Sequence, residues 1–276
     1  MDQPNSQPVN LLWTGGWDST FRLLQLLLLR GRTVQPYYVI DSDRASTGLE
    51  LRTMTHLKQR LFAQRPETRK LLLPTRFKDL FDIQPNPDLT AAFGRIHQRC
   101  FLGSQYDWLA RFCEEAGIHD MELCVERGVG PLPVLLETFS TRRGAGEDAY
   151  YQVDEIHARL DEYTLLRHFK FPVFGLSKPD MQAIARQEGF EEFLQMTWFC
   201  HTPRANSRPC GVCNPCIYTM KDGLGARFPF TSRLRYHLRI RARVRDWLRK
   251  HPALHAQVQQ LRSKKPILLP NQGRSR

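Results

Sequence analysis

One stretch near the start of the chain, VNLLWTGGWDSTFRLLQLLLLRG at residues 9–31, constrains the fold more than any other. Residues 9–13 are apolar enough for a buried strand, and residues 20–30 form an apolar helical pattern with Gly31 at the position of a C-terminal cap. A glycine turn connects them, so a strand passes directly into a helix. The turn comprises Thr14, Gly15, Gly16, Trp17, Asp18, Ser19 and Thr20.

This turn has the chemistry of a phosphate-binding loop. Two adjacent glycines allow the backbone to approach a ligand, and the first N–H groups of the following helix are free to bind an anion. The hydroxyls of Thr14, Ser19 and Thr20 add donors, while the Asp18 carboxylate suits a helix cap or a Mg²⁺ ion better than a phosphate. The turn contains no lysine, which argues against a Walker-type P-loop. A plain strand-to-helix turn is the alternative interpretation.

The rest of the chain continues the alternation of strand and helix. Further strands are predicted at residues 33–40, 69–74, 121–125 and 171–176, and helices at residues 47–64, 103–117, 153–168 and 178–187. This alternation predicts an α/β fold, with a parallel sheet covered by helices on both faces. Ligands bind at the carboxyl ends of such strands, where Thr14 and Asp41 would lie.

Length and cysteine content indicate the class of protein. With 276 residues, the chain is long enough for one large α/β domain with an appendage. The leucine run at residues 23–29 is too short to span a bilayer, and no basic signal-peptide region precedes it. Seven cysteines, four of them clustered, fit a reducing compartment. We therefore expect a cytoplasmic protein without a membrane segment.

The net charge of +12 is concentrated at one end of the chain. Residues 231–276 hold 13 of the 40 Lys and Arg residues but only Asp246 among the 28 acidic residues, so this segment carries the whole excess. Its arginines alternate with aromatic and apolar side chains. The segment is therefore either a basic extension that binds a nucleic acid or an acidic protein, or a helix whose apolar residues dock on the body.

A cluster of cysteines lies late in the chain, in the pattern C-x9-C-x2-C-x2-C. Four thiolates at this spacing suit one tetrahedral Zn²⁺ ion, and with four protein ligands such a site is structural. An iron–sulfur cluster is the alternative, and His201 is a less favoured fourth ligand. The remaining cysteines, at positions 100, 113 and 124, are expected to be core residues. The predicted metal ligands are Cys200, Cys210, Cys213 and Cys216.

Several of these motifs together resemble a known family. The glycine turn resembles the SGGxDS signature of the PP-loop ATP pyrophosphatases, with Thr14 in place of the first serine. Residues 172–181, 197–200 and 209–216, followed by residues 223–228, resemble the 7-cyano-7-deazaguanine synthases, which carry a lysine-bearing helix, a TWSC segment and a CGxCxxC loop in this order. The resemblance covers residues 9–230. It implies a PP-loop domain at 9–195 and a zinc-binding section at 196–230. The polar, proline-containing segment at 1–8 is expected to be disordered, and the charge distribution predicts a basic extension at 231–276.

The resemblance also implies a reaction. Synthases of this family adenylate 7-carboxy-7-deazaguanine with ATP, ammonia displaces AMP, and a second ATP drives dehydration of the amide to the nitrile. The turn at residues 14–20 would hold the pyrophosphate with Mg²⁺, and Asp18 and Lys178 would be catalytic, with Lys178 neutralising phosphate charge. Arg44, in a partial match to the family motif, would contact the nucleotide. A homodimer is one alternative for the oligomeric state.

The substrate side departs from the family. Gly103-Ser104-Gln105 stands where a Gly-Arg-Asn element is usual, and residues 126–131 replace a Tyr-Pro-Asp-Cys element. These changes leave open a divergent synthase, or a paralogue of the kind found in bacterial antiphage systems that transfers the activated acid to another amine, including one on a protein. Two further alternatives are a tRNA-thiolating enzyme, for which Cys100 is the best nucleophile, and a non-catalytic nucleic-acid-binding module.

Overall fold

The computed structural model describes residues 7–128 and 130–239. Most of the segment predicted to be disordered, residues 1–6, and most of the predicted basic extension, residues 240–276, lie outside the described residues. Within the described part of the chain, no helix is both long and apolar enough to cross a membrane.

The centre of the fold is a parallel sheet, as the alternation of strands and helices predicts. Its strands lie in the order β3-β2-β1-β4-β7, and every neighbouring pair is parallel. The chain places β2 and β3 on one side of β1, and β4 and β7 on the other. The strands are β1 (Val9–Leu12), β2 (Val34–Ile40), β3 (Arg76–Asp79), β4 (Met121–Glu122) and β7 (Phe169–Lys170), while β5 (Ser140–Arg143) and β6 (Tyr150–Val153) form a separate antiparallel hairpin.

Helices flank this sheet on both faces. The side chains of a strand alternate between the two faces, and Leu11 and Trp13 belong to one hydrophobic core while Leu12 belongs to another. The helices are α1 (Trp17–Leu24), α2 (Thr47–Gln64), α3 (Pro87–Arg99), α4 (Gln105–Glu115), α5 (Pro131–Phe139), α6 (Asp161–Leu166), α7 (Lys178–Gln187), α8 (Glu191–Gln195), α9 (Asn214–Lys221) and α10 (Phe230–His237). A π-helical turn, Gln25–Leu29, continues α1.

The third strand lies later than predicted. Pro66–Lys70 is a 3-10 helix, and only Leu72 of the predicted strand makes an isolated bridge, to Val34. The regular strand is β3, whose first two residues, Arg76 and Phe77, are exposed. Because β3 is at the edge of the sheet, it lacks the apolar pattern that marks a buried strand.

Three other elements differ from the prediction. β4 has two residues rather than five, and the strand predicted at 171–176 is instead β7, at Phe169–Lys170. The helix predicted at 153–168 is broken into the 3-10 helix Glu155–His157 and α6. Phe171 pairs with Tyr151 of the hairpin, so a contact distant in sequence determines where β7 ends.

Candidate functional site

The glycine turn lies at the position where ligands bind in open parallel sheets. The strand order reverses at β1. The next two strands in sequence, β2 and β3, lie on one side of β1, and β4 lies on its other side. Thr14 follows β1, and Leu123 and Cys124 follow β4, so these residues meet at the carboxyl edge of the sheet.

The backbone of the turn is closely packed. Gly15 has φ of +68°, and a Cβ at this position would lie 3.1 Å from Met54 Cγ, so a side chain is disfavoured by both conformation and space. The carbonyl of Gly15 accepts a hydrogen bond of 3.0 Å from the N–H of Trp198. The carbonyl of Gly16 accepts one of 3.0 Å from the N–H of Thr20, which starts α1. The late segment that leads into the cysteine cluster therefore supports the turn directly.

The turn borders a cleft with two lobes. The sheet-side lobe, about 300 Å³, is lined by residues that follow β1, β2 and β4, together with Gln105, Trp108 and Leu109 of α4. The cysteine-side lobe, about 280 Å³, is lined by Glu126, Lys178 and residues of the late segment. Both lobes share Thr14, Gly16, Trp17, Asp18, Arg44 and His201.

The residues of the turn differ in their exposure to this cleft. Ser19 lines the sheet-side lobe. Thr20 is buried, and its hydroxyl accepts a hydrogen bond of 3.0 Å from Trp13 Nε1. Neither Thr20 nor Gly15 is among the lining residues of the two lobes, although both were predicted to bind nucleotide. Their roles in the described structure are to shape the turn.

Lys178 lies in the cysteine-side lobe, surrounded by carboxylates. Its Nζ contacts Glu126 Oε1 and lies 3.5 Å from Asp18 Oδ1 and 3.9 Å from Asp222 Oδ2. Ser177 caps α7, as predicted, in a capping box with Asp180, and this fixes the helix end that carries Lys178.

The charges in this cluster shift one another's pKa values. Burial alone would lower the pKa of Lys178, but Asp18 and Glu126 outweigh burial and raise it. Burial, reinforced by the charge of Asp18, raises the pKa of Glu126. Burial also raises the pKa of Asp222, with Lys178 opposing this shift and Asp18 adding to it. Three carboxylates thus share one ammonium group.

Arg44 is held against the wall of the cleft by a buried carboxylate. Its Nη2 lies 2.9 Å from Glu50 Oε1, which also accepts a hydrogen bond of 2.8 Å from Ser46 Oγ. The other oxygen of Glu50 accepts a bond of 2.9 Å from the Tyr38 hydroxyl. Burial, followed by the charge of Glu50, raises the pKa of Tyr38. Arg44 lines both lobes, as a nucleotide contact would require. Its charge, however, is already paired with that of Glu50.

Arg227 is a lining residue that the sequence reasoning missed. Its Nη2 donates hydrogen bonds to the carbonyl and hydroxyl of Thr197, at 2.5 and 2.9 Å. Its guanidinium carbon lies 5.1 Å from the ring centre of Trp17 and 4.9 Å from that of Phe199. Burial lowers its pKa to about 10. Glu126, another lining residue, and Asp222, which contacts Lys178 but is not in the lining of either lobe, were not predicted either. Glu126 directly follows the predicted fourth strand and Arg227 lies within residues 223–228, one of the segments that resemble the family, whereas no motif marks Asp222.

The four late cysteines come together as predicted. Their sulfurs all lie within 4.8 Å of one another, close enough to hold one metal ion such as zinc. Pairs of sulfurs are 3.8 Å apart for Cys210 and Cys216, and 3.9 Å apart for Cys200 and Cys213. Backbone N–H groups point at them, including that of Cys210 to Cys200 Sγ at 3.1 Å. His201 is not in this group, and lines the cleft instead.

Helix α10 packs against the cysteine loop. Ser232 Oγ donates to the carbonyl of Pro209 at 2.5 Å, and Arg235 Nε donates to the carbonyl of Cys210 at 2.8 Å. Gly211 has φ of +81°, and a Cβ there would lie 2.2 Å from the carbonyl oxygen of Ser232. The docked face of α10 is therefore polar. Leu234 and Leu238, whose spacing suggested docking, are exposed.

The other cysteines do not form a reactive centre. Cys100 follows α3 and does not line either lobe. Cys113 is a core residue, as predicted, and burial raises its pKa to about 12. Cys124 lines the sheet-side lobe, but burial, followed by the charge of Glu122, raises the pKa of its thiol well above the ordinary value. A thiol with a raised pKa is a poor nucleophile at neutral pH.

No protein-family model matches the chain, and no curated protein is significantly similar to it.

Proposed function

We propose that the chain is a PP-loop enzyme that adenylates a carboxylic acid with ATP, releases pyrophosphate, and allows ammonia or another amine to displace AMP. One observation carries this proposal: the glycine turn lies at the switch point of the sheet and borders both lobes of one cleft. Lobes of about 300 and 280 Å³ that meet at a phosphate-type turn suit a nucleotide and an acid side by side.

The chemistry explains why a nucleotide and an acid must meet at this turn. A carboxylate is a poor electrophile because its negative charge repels nucleophiles. Adenylation bonds a carboxylate oxygen to the α-phosphorus, so that AMP becomes the leaving group when an amine attacks. The N–H groups at the start of α1 and the hydroxyls of Thr14 and Ser19 would stabilise the negative charge of the departing pyrophosphate.

Carboxylates near the turn fit a bound Mg²⁺. Asp18, Glu126 and Asp222 supply the oxygen ligands that this ion prefers, and only Lys178 balances their charge in the described cluster. Asp18 Oδ1 is buried without a hydrogen-bond donor among the described residues. When bound with ATP, Mg²⁺ would neutralise phosphate charge and favour departure of pyrophosphate.

The cysteine cluster is proposed to hold structural zinc. Two sulfurs that each lie about 2.3 Å from a tetrahedral ion are about 3.8 Å apart, close to the two distances observed here. Four thiolates leave no open position for a substrate. Metal analysis should find about one zinc per chain, and Cys213→Ser should lower both zinc content and the free energy of unfolding. Iron with acid-labile sulfide, or a folded protein that lacks metal, would contradict this assignment.

Mass spectrometry of the reaction products tests the proposed activity. With ATP, Mg²⁺, 7-carboxy-7-deazaguanine and ammonia, we expect AMP, pyrophosphate and an amide or nitrile. Asp18→Ala should abolish AMP formation, whereas Asp82→Ala, an exposed carboxylate outside the lining of both lobes, should retain it. Products of ADP and phosphate would instead indicate a kinase-like or ATPase mechanism and overturn the proposal.

One observation favours a changed acid or acceptor amine. Glu126 follows β4, where the synthases carry their acid-binding element, and it is bound to Lys178. The alternative is therefore a paralogue that uses the same adenylation chemistry but transfers the activated acid to an amine on a protein. A mass increase on a protein present in the assay, rather than a free amide or nitrile, would identify it. Thiolation is less well supported, since Cys100 is outside the cleft lining and Cys124 is not activated.

A further inference from the structure

The cysteine-side lobe contains a partly buried cation that no carboxylate of the described chain neutralises. Lys178 is surrounded by three carboxylates, and Arg44 is paired with Glu50. Arg227 differs from both, because within residues 7–128 and 130–239 its recorded hydrogen bonds are to the carbonyl and hydroxyl of Thr197 and it has no ion pair. In the part of the chain that the structure describes, the guanidinium of Arg227 therefore lacks a counter-ion.

The surroundings of Arg227 hold its guanidinium in place. The rings of Trp17 and Phe199 lie about 5 Å from its central carbon, and one of its nitrogens is bound to Thr197. Arginine carries five N–H donors in a planar fork, so donors remain for a ligand. A partly buried charge without a counter-ion is unfavourable, and an anion bound in the lobe would reduce that cost.

Trp17 provides a second, independent observation. The residue lines both lobes and is only 4% exposed, and its buried Nε1 has no hydrogen-bond acceptor among the described residues. Buried N–H groups in native proteins are nearly always bonded. An acceptor supplied by a ligand would satisfy this donor beside the unpaired guanidinium.

We propose that Arg227 and Trp17 Nε1 together bind an oxyanion in the cysteine-side lobe. The inference rests on the proposed function, in which the oxyanion is either a phosphate group of ATP or the carboxylate of the acid. The planar fork of a guanidinium can bind two oxygens of either group at once. The family resemblance gives neutralisation of phosphate to Lys178, but three carboxylates already surround that lysine, whereas Arg227 has no carboxylate partner among the described residues.

Calorimetric titrations of the full-length, metal-loaded protein test this proposal. The two probes are inorganic pyrophosphate with Mg²⁺, and 7-carboxy-7-deazaguanine. We expect Arg227→Gln to weaken binding of one probe by about tenfold or more, since a hydrogen bond to a charged group is lost. Trp17→Phe, which removes only the N–H, should weaken the same probe by about threefold to tenfold. Loss of pyrophosphate binding identifies a phosphate site, and loss of acid binding identifies a carboxylate site.

Two further variants separate ligand binding from a structural role. Thr197→Val removes the hydroxyl that accepts from Arg227 but leaves the charge in the lobe, so it should bind both probes like the wild type. Arg227→Lys retains a charge and should recover part of the affinity. A loss in Thr197→Val as large as in Arg227→Gln would show that Arg227 acts only by supporting the late segment, and would overturn the proposal.

The remaining outcomes also decide the question. Equal affinity of Arg227→Gln and wild type for both probes overturns the inference, while the proposed function stands if the wild type still forms AMP and pyrophosphate. A wild type that binds neither probe overturns the inference, while formation of AMP and pyrophosphate by the same preparation decides the proposed function separately. If Arg227→Gln loses its metal or its fold, Trp17→Phe is the variant that tests the proposal. Unchanged affinity of Trp17→Phe for both probes then overturns it.

Discussion

At the level of single residues, the cluster around Lys178 is the most sensitive to change. Its ammonium group balances three carboxylates, and its side chain is only 12% exposed. Removing one partner of a buried ionic group leaves the others unpaired, which is more destabilising than loss of an exposed pair. The destabilisation caused by removing Lys178 should depend on pH, since burial already raises the pKa of both Glu126 and Asp222.

We expect Lys178→Met to lower the free energy of unfolding by about 3 kcal/mol at pH 7. The deficit should shrink as the pH falls towards 5. The folded-state pKa of Glu126 lies above its unfolded value, so the folded protein takes up protons first and the repulsion disappears as the pH falls through that folded pKa. Urea unfolding at both pH values measures this difference.

Lys170→Met is the matched control for this prediction. Lys170 pairs with Asp120 at 3.6 Å, but the side chains are 28% and 46% exposed, so the loss should be below about 1 kcal/mol at either pH. A deficit in Lys178→Met that is the same at pH 7 and pH 5 would show that the carboxylates do not depend on this lysine.

At the level of elements, the contact between α10 and the cysteine loop depends on the absence of a side chain at residue 211. Gly211→Ala should force the loop and helix apart, since a Cβ would lie 2.2 Å from a backbone oxygen of Ser232. We expect a loss of about 3 kcal/mol or more in the free energy of unfolding, together with reduced metal content. Chemical denaturation and metal analysis measure the two effects.

Gly223 allows the clash to be separated from backbone strain. It has the same φ of +81°, but no atom lies within 4 Å of an added Cβ. Gly223→Ala should therefore cost only about 1–2 kcal/mol and leave the metal bound. Equal losses in the two variants would show that α10 does not need its close contact with the loop.

Local signals account for the elements that the sequence predicted correctly. The strand-turn-helix at the start of the chain, the Ser177 cap of α7 and the cysteine cluster all depend on residues near one another in sequence. β3 was placed wrongly because an exposed edge strand has no apolar pattern, and β7 because its end depends on pairing with the hairpin. The roles of Asp222 and Arg227 could not be predicted in the same way, since only tertiary folding brings Asp222 to Lys178 and Arg227 to the cleft.

For the whole molecule, the distribution of charge predicts a separation of functions. Residues 240–276 hold ten of the 40 Lys and Arg residues and one acidic residue. A chain that stops after Arg239 keeps α10 and its contacts with the cysteine loop, so we expect it to remain folded, metal-loaded and able to adenylate the acid. Its affinity for an RNA oligonucleotide should fall, and the wild-type affinity should decrease steeply with salt.

Fluorescence anisotropy between about 50 and 200 mM salt checks this prediction, with AMP formation measured on the same preparations. Equal RNA affinity in the full and shortened chains would show that the basic segment is not a polyanion-binding tail. Aggregation or loss of metal on truncation would show instead that residues beyond 239 belong to the fold.

The hydrogen bond from Trp198 to Gly15, together with the position of Arg227, has a consequence for biosynthesis. A ribosome completes the glycine turn and β1 early, but the segments that support the turn and close the cysteine-side lobe are translated much later. The cleft therefore cannot be assembled on a partly translated chain. A nascent protein stalled before residue 197 would have most of its sheet and an incomplete cleft, so no ligand of the cleft could assist its folding until translation is nearly finished.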